Sequence, residues 1–175
     1  SQYFAEAGCA PDIMTTAKSI AAGMPISAVT ARAEIMDKVA PGTIGGTFGA
    51  NAMSAAAALK VIEIMERDDY PGKALHIAEK VRTAFDAWVD KYEVVGNVRG
   101  TGAMMGIEFV TDKETKTPNA AIVSAIVQEA MNNGLMLEAA GTYGNVIRFL
   151  CPLCATDAQL EAGIEIFENA LKACM

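Results

Sequence analysis

The order of apolar patterns after residue 72 limits the fold of this chain more than any other feature. Apolar residues recur every three or four positions between Leu75 and Tyr92, which predicts a helix with one buried stripe. Two strands are predicted next, near Gly96–Arg99 and Ala103–Thr111, because large apolar residues in the second stretch alternate with small or polar ones. A turn near Lys113–Pro118 then separates these strands from another helical pattern.

The rest of the chain repeats this alternation of a helix with a pair of strands. Apolar spacing predicts a second helix over residues 122–131, and Leu135–Glu138 and Val146–Leu150 are predicted strands. Thr156 followed by Gln159 is the capping-box pattern that opens a helix. The complete order indicates a small α+β domain, with helices on one face of a largely antiparallel sheet.

A cluster of helix-breaking and strand-breaking residues precedes this domain. Asp68–Gly72 combines two aspartates with proline and glycine, so we place a domain boundary there. The chain is thereby divided into residues 1–70 and residues 71–175.

The residues before the boundary have a different organisation. Ile13–Thr16 and Ile26–Thr30 are predicted to be buried strands, and a glycine-rich loop over 41–49 leads into an alanine-rich helix that ends near Glu66. Two buried strands alone have no sheet to join. We therefore expect residues 1–70 to be part of a larger α/β unit.

Composition excludes several classes of partner. The 175 residues carry 21 acidic and 14 basic side chains, a net charge of −7, so no surface for nucleic acid or for anionic membranes is expected. The 52% hydrophobic content supports globular domains with cores of their own. The chain begins at Ser1 without an initiator methionine or a targeting segment, which we interpret as a sign that it belongs to a longer protein.

The four cysteines are too few and too unevenly spaced for a disulfide framework, which favours a reducing cytoplasm. Cys151 and Cys154 have CxxC spacing, but a structural zinc would need two more ligands, and only Cys9, Cys174 and His76 remain. We therefore expect no metal. A thiol redox pair is an alternative, and it requires an accessible cysteine of low pKa.

Lys18 is the first candidate for chemistry. It is the only charged residue in an apolar and small-residue stretch that continues to Ala31. Such a lysine can extend its amine to solvent, pair with an acid, or stay neutral and act as a nucleophile. The residues alone favour one of the first two interpretations.

The glycine-rich loop at Gly45, Gly46 and Thr47 is the second candidate. Glycines let backbone N–H groups turn toward an anion, a threonine hydroxyl adds a donor, and the helix that starts near Asn51 adds a favourable partial charge. Phosphate is the natural guest for this arrangement. A tight structural turn explains the same residues equally well.

Arg148 is the third candidate. Strand alternation places it with Val146 and Leu150 on one face, so its guanidinium lies along an apolar surface and needs an anion. A carboxylate is the expected partner. Glu108 or Glu138 on a neighbouring strand could supply it, or a substrate could, and the sequence slightly favours the internal pair.

Together these segments resemble the class III (subgroup II) pyridoxal-phosphate-dependent aminotransferases, and within them the 4-aminobutyrate type. Pro11–Ile26 is similar to the family's cofactor-lysine segment, and Gly45–Asn51 to its phosphate loop. Val98–Phe109 is similar to a strand pair of the small domain, and Gly144–Leu150 to the strand with the substrate-binding arginine. The resemblance implies the C-terminal part of a fold type I transferase. Residues 1–70 would then belong to the cofactor domain and 71–175 would form the small domain.

The resemblance also implies roles for the three candidates. Lys18 would carry pyridoxal 5′-phosphate and move the proton during catalysis, and Thr47 and Gly46 would bind the phosphate. In this family the threonine reaches the neighbouring active site of a homodimer. Arg148 would hold the carboxylate of the amino acid and 2-oxo acid substrates. The expected reaction transfers an amino group from 4-aminobutyrate or a similar ω-amino acid to 2-oxoglutarate.

Other functional residues of the family precede the lysine segment, and by this resemblance they would precede Ser1. They include the aspartate that pairs with the pyridinium nitrogen and the turn that cups the phosphate. We therefore expect the 175 residues to be inactive on their own. Two alternatives are a non-catalytic excised or interaction module and a class III aminotransferase of the acetylornithine or ornithine type.

Overall fold

The computed structural model describes residues 10–47, 49 and 51–175 of the chain. Cys9 and two residues of the predicted phosphate loop, Phe48 and Ala50, lie outside the described residues. The chain divides into two compact units, Ser1–Asp68 and Asp69–Met175. Asp69 adopts a left-handed backbone with φ of 46°, and its carboxylate accepts a hydrogen bond from the Gly72 N–H, so a new helix begins there.

The first unit contains a strand pair, a 3₁₀ turn and two helices. Strands β1 and β2 are antiparallel, with Ile13 opposite Ala31. The 3₁₀ turn follows β1 directly, and the longer helix starts where the sequence predicts it, after the capping residue Asn51. The elements are β1 (Ile13–Thr16), the 3₁₀ turn (Lys18–Ala21), β2 (Ala28–Ala31), α1 (Ala33–Met36) and α2 (Ala52–Arg67).

The prediction that β1 and β2 are buried is wrong for this structure. Ile13 is 56% exposed and Val29 is 44% exposed. The two strands pair only with each other among the described residues, so no further strand shields them. The second strand also begins at Ala28, two residues later than predicted.

Helix α2 packs against the 3₁₀ turn through small side chains. Ala21 of the turn and Ser54 of the helix are fully buried, and Ala58 is 9% exposed. Small residues let the two backbones approach closely. This contact fixes the turn that begins at Lys18.

The second unit is a four-stranded antiparallel sheet in the order β3-β4-β7-β6, with the short β5 pairing with the end of β4. Helices cover one face of it, as the sequence predicts. The elements are α3 (Tyr70–Lys91), β3 (Val95–Thr101), β4 (Met104–Asp112), β5 (Thr117–Pro118), α4 (Ala120–Asn132), β6 (Glu138–Ala140), β7 (Val146–Leu150) and α5 (Asp157–Ala173).

Aromatic residues from the helices and the sheet form the core of this unit. The Phe85 ring lies 4.8 Å from the Trp88 ring and 5.7 Å from the Phe167 ring, and all three side chains are buried. The predicted stripe of α3 is correct except at its start. Leu75 is 64% exposed, and Ile77, which is 2% exposed, takes its place because Ile77 continues the helical spacing of Val81 and Phe85.

Two smaller predictions need correction. Strand β6 begins at Glu138, where Leu135–Glu138 was expected, because the Leu135 N–H still donates to the Ala130 carbonyl at the end of α4. Met131 is 54% exposed and lies off the buried stripe of its helix. The capping box of Thr156 and Gln159 is present as predicted. No helix in the described part of the chain has the length and apolar character to cross a bilayer.

Candidate functional site

Lys18 lies two residues beyond the end of β1, as the first residue of the 3₁₀ turn. Its backbone is left-handed, with φ of 62°, a conformation that costs a non-glycine residue about 1–3 kcal/mol and clusters at functional sites. Its side chain is exposed and forms no ion pair or hydrogen bond with the described residues. The paired interpretation is therefore not seen in this structure, and the amine is available to a ligand.

The glycine-rich loop borders a cavity of about 640 Å³ in the first unit. At Gly45 and Gly46 an added Cβ would meet no atom within 4 Å, and neither has a positive φ. Neither packing nor backbone conformation within the described residues therefore requires glycine here. The described lining is Pro25, Ile26, Ser27, Ala28, Val29, Ile44, Gly45, Gly46, Thr47, Gly49, Asn51 and Ala55.

The cavity also borders the N-terminus of α2. The Asn51 carboxamide oxygen accepts a hydrogen bond of 3.0 Å from the Ser54 N–H, which caps this helix. Thr47 is exposed and lines the same cavity. Lys18 is not among the lining residues. The structure thus places Gly46 and Thr47 on one cavity, and Lys18 is not among the described residues that line it.

Arg148 lies in the second unit, on the sheet face opposite the helices. Its strand places it between Gly106 of β4 and Glu138 of β6. The guanidinium donates a hydrogen bond to the Glu138 carboxylate, which lowers the pKa of Glu138 and raises the pKa of Arg148. The internal partner that the sequence favoured is therefore present. The Arg148 Nε is buried and has no hydrogen-bond partner in the described part of the chain.

Glu108, the other carboxylate considered for Arg148, has a different partner. Its Oε2 accepts a hydrogen bond of 2.6 Å from Arg99, and its Oε1 lies 3.4 Å from the Asn145 amide nitrogen. The sequence contained a signal for this pair, because a tight turn after Thr101 sets Arg99 and Glu108 diagonally across the β3–β4 hairpin. The partner of Arg148 is Glu138, on the edge strand β6.

The CxxC pair does not have the properties of a redox site. Burial raises the pKa of the Cys151 thiol, whereas a reactive pair needs a lowered one. Helix α5 begins at Asp157, so Cys154 does not lie at its N-terminus. Among the described residues, no three His, Cys, Asp or Glu side chains are grouped in a way that could hold a metal ion.

Known proteins match nearly the whole chain. A family model described as aminotransferase class-III matches residues 2–171. The chain belongs to this family. It is 44% identical over 162 residues to a 5-aminovalerate aminotransferase of Pseudomonas putida and 43% identical over 162 residues to a 4-aminobutyrate aminotransferase of Escherichia coli. Each alignment covers 93% of this chain and 38% of the relative, so the chain spans well under half of these aminotransferases.

The fold agrees with this assignment. A crystal structure of an amine transaminase from an uncultivated Pseudomonas species, with pyridoxal phosphate bound, superposes with a TM-score of 0.85 at 32% identity. The match covers 96% of this chain and 40% of that one. The predicted fold class, a part of a pyridoxal-phosphate-dependent transferase, is therefore confirmed.

The described residues are compatible with the family's cofactor. Lys18 offers an amine that has no partner in the described part of the chain. Two glycines with open space, a threonine hydroxyl and a capped helix N-terminus border one cavity. Each of these two groups suits a phosphorylated aldehyde by itself, although Lys18 does not line the loop's cavity: the amine can bond to a carbonyl carbon, and the loop can bind a phosphate.

Proposed function

We propose that this chain is part of a pyridoxal-phosphate-dependent transaminase that moves an amino group from 4-aminobutyrate or a similar ω-amino acid to 2-oxoglutarate. The observation that carries the proposal is Lys18, an exposed lysine in a left-handed backbone with no partner among the described residues, within a segment similar to the family's cofactor lysine. The names of the two relatives support an ω-amino acid as the donor.

Each candidate residue has one task in this proposal. Lys18 holds the cofactor, and its amine, once released, accepts and returns the proton at the substrate carbon. Gly46 and Thr47 bind the cofactor phosphate, with Thr47 serving the neighbouring active site of a homodimer. When bound, pyridoxal 5′-phosphate supplies the electron sink that the chain's own side chains lack.

Arg148 binds the carboxylate of the 2-oxo acid. Glu138 accepts a hydrogen bond from Nη2 of the guanidinium. The Arg148 side chain is 41% exposed and has further N–H donors. An incoming carboxylate shares the guanidinium with Glu138 or replaces it. Holding the carboxylate orients the amino or oxo carbon for transfer.

We further propose that the 175 residues are inactive alone, because they span 38% of these relatives and the described part of the first unit contains a sheet of only two strands. A cytoplasmic location fits the three free cysteines of the described chain, Cys151, Cys154 and Cys174.

Amino transfer from 4-aminobutyrate to 2-oxoglutarate tests the proposal, measured with cofactor on the product of the complete reading frame. Lys18→Ala is expected to lower kcat by about 10³-fold or more, because the proton-transfer group is lost. Lys38→Ala is the matched control, because Lys38 is an exposed lysine of the same unit. Turnover that survives Lys18→Ala contradicts the proposal.

Substrate comparison tests the donor. We expect kcat/KM for 4-aminobutyrate or 5-aminovalerate to exceed that for ornithine and acetylornithine. The reverse order would assign the chain to the other branch of the family. The 175-residue chain, assayed alone in the same way, should give no turnover.

A further inference from the structure

Asn145 is one of two buried polar residues in the described chain, with an exposure of 2%. It lies directly before β7, three residues ahead of Arg148. Its side-chain amide donates a hydrogen bond of 3.0 Å to the Phe109 backbone carbonyl. Its backbone carbonyl accepts a hydrogen bond of 2.7 Å from the Phe109 N–H. Backbone and side chain of Asn145 therefore both hold the same residue of β4.

The apolar pattern of β7 does not by itself define the pairing of β7 with β4. Ile147 and Phe149 face the core, so a slip by one residue would expose them and is excluded. A slip by two residues keeps the same side chains on the same face. It would move Arg148 along β4 by about 7 Å, twice the rise of a strand residue.

The observed register sets no side chain of β4 opposite Arg148, and an added Cβ at Gly106 would meet a Val146 methyl at 3.2 Å. Arg148 lies opposite Gly106, which has no side chain. A two-residue slip would set Arg148 opposite Met104, whose side chain would add bulk beside the guanidinium, or opposite Glu108, which would offer it a carboxylate on β4. An interaction with the side chain at one position of β4 distinguishes these registers.

We propose that Asn145 is a positioning residue that holds Arg148 opposite Gly106. In the observed register its side-chain amide bonds to the Phe109 carbonyl and lies 3.4 Å from the Glu108 carboxylate; a two-residue slip would still offer a backbone carbonyl but would remove the Glu108 contact. Its contact with Glu108, which Arg99 also holds, ties the same point to β3. The catalytic consequence rests on the proposed role of Arg148 in binding a carboxylate.

Asn145→Asp tests the inference, because a carboxylate cannot donate to the Phe109 carbonyl and repels Glu108. Asn97→Asp is the matched control, since Asn97 lies opposite Glu108 on β3, is exposed, and does not touch β7. Amide hydrogen exchange on the 175-residue chain gives the first measurement. We expect exchange in Val146–Leu150 to accelerate at least about tenfold in Asn145→Asp while exchange in α5 changes less than about threefold.

Kinetics on the product of the complete reading frame give the second measurement. We expect Asn145→Asp to raise KM for 2-oxoglutarate about tenfold with kcat within about threefold of the wild type, because the carboxylate-binding arginine is displaced and the proton-transfer group is not. Asn97→Asp should leave both constants near the wild type. If Asn145→Asp does not fold, Asn145→Ala replaces it in both measurements.

Two results would overturn the inference. One is equal acceleration of exchange in β7 and α5, which would make Asn145 a general stability residue. The other is unchanged β7 exchange or an unchanged KM in a folded Asn145 variant. Arg148→Ala separates this failure from failure of the proposed function: if Arg148→Ala leaves KM for 2-oxoglutarate unchanged, the assignment of Arg148 fails, whatever the exchange data show for Asn145.

Discussion

The two units bury very different shares of their apolar side chains. In the second unit Phe85, Ile107 and Phe109 are fully buried. In the described part of the first unit only Ala21, Ser54 and Ala58 are buried. Five of its larger apolar residues, Ile13, Val29, Ile44, Met53 and Leu59, are at least 44% exposed.

An apolar pattern predicts a preference for burial, whereas burial itself needs a partner surface. The second unit supplies such surfaces from its own three helices and sheet. In the described part of the first unit, the partner surfaces are a short 3₁₀ turn and one side of α2. Lys18, the proposed cofactor lysine, therefore lies in the unit with the smaller core.

The largest expected effect concerns the core of the second unit. Phe85→Ala should lower the free energy of unfolding by about 3–5 kcal/mol, because the ring contacts Trp88, Phe149 and Phe167 and leaves a cavity. Denaturant titration measures the change by the fluorescence of Trp88, the only tryptophan of the chain, and by circular dichroism.

Leu75→Ala is the control for this change, because Leu75 lies on the same helix and is 64% exposed. It should change stability by less than about 0.5 kcal/mol. Equal losses from the two variants would contradict the assigned phase of the helix and the account of this core.

A smaller effect concerns Glu168, whose carboxylate accepts hydrogen bonds of 2.7 Å from Lys91 and 2.6 Å from Tyr92. These bonds lower its pKa from 4.5 to about 2. Because the pKa of Glu168 is lower in the folded state than in the unfolded state, the carboxylate stabilises the fold at pH values above about 4.5. This contribution is lost as the pH falls from about 4.5 toward 2. Glu168→Gln should therefore cost about 1–2 kcal/mol at neutral pH and flatten the acid dependence of stability.

Glu165→Gln serves as its control, because Glu165 is an exposed residue of the same helix. Unfolding titrations at pH 7 and at acid pH compare the two variants with the wild type. An acid dependence that persists in Glu168→Gln would show that other carboxylates produce it.

The smallest expected effect is in the first unit and has the opposite sign. The Ser54 hydroxyl is buried without a hydrogen-bond partner in the described chain, a cost that Ser54→Ala removes. We expect α2 amides to exchange about fivefold more slowly in the variant, which corresponds to about 1 kcal/mol. Faster exchange would show that the hydroxyl stabilises the contact between α2 and the 3₁₀ turn.

The second unit was predicted well because the apolar residues of each helix and strand pack against other elements of the same unit. The spacing of Val81, Phe85 and Trp88 identified the face of α3, and Thr156 with Gln159 identified the start of α5. The start of β6 was predicted too early, because the Leu135 N–H donates a hydrogen bond to the Ala130 carbonyl at the end of α4. Side-chain patterns do not encode such a backbone bond.

The site was predictable as a set of residue types and not as a geometry. The isolation of Lys18 in an apolar stretch and the alternation around Arg148 marked both residues. The left-handed backbone of Lys18 could not be read from the sequence, because lysine has no preference for it. The pairing of Arg148 with Glu138 depended on strand order and register.

The central claim is that Lys18 is the lysine that holds the cofactor. Borohydride reduction of the complete reading-frame product with pyridoxal phosphate, followed by peptide mapping, tests it directly, because reduction makes the lysine–cofactor bond permanent. We predict that the label is on Lys18 and that Lys38, an exposed lysine of the same unit, is unlabelled. A label on another lysine, with Lys18 unmodified, would contradict the account.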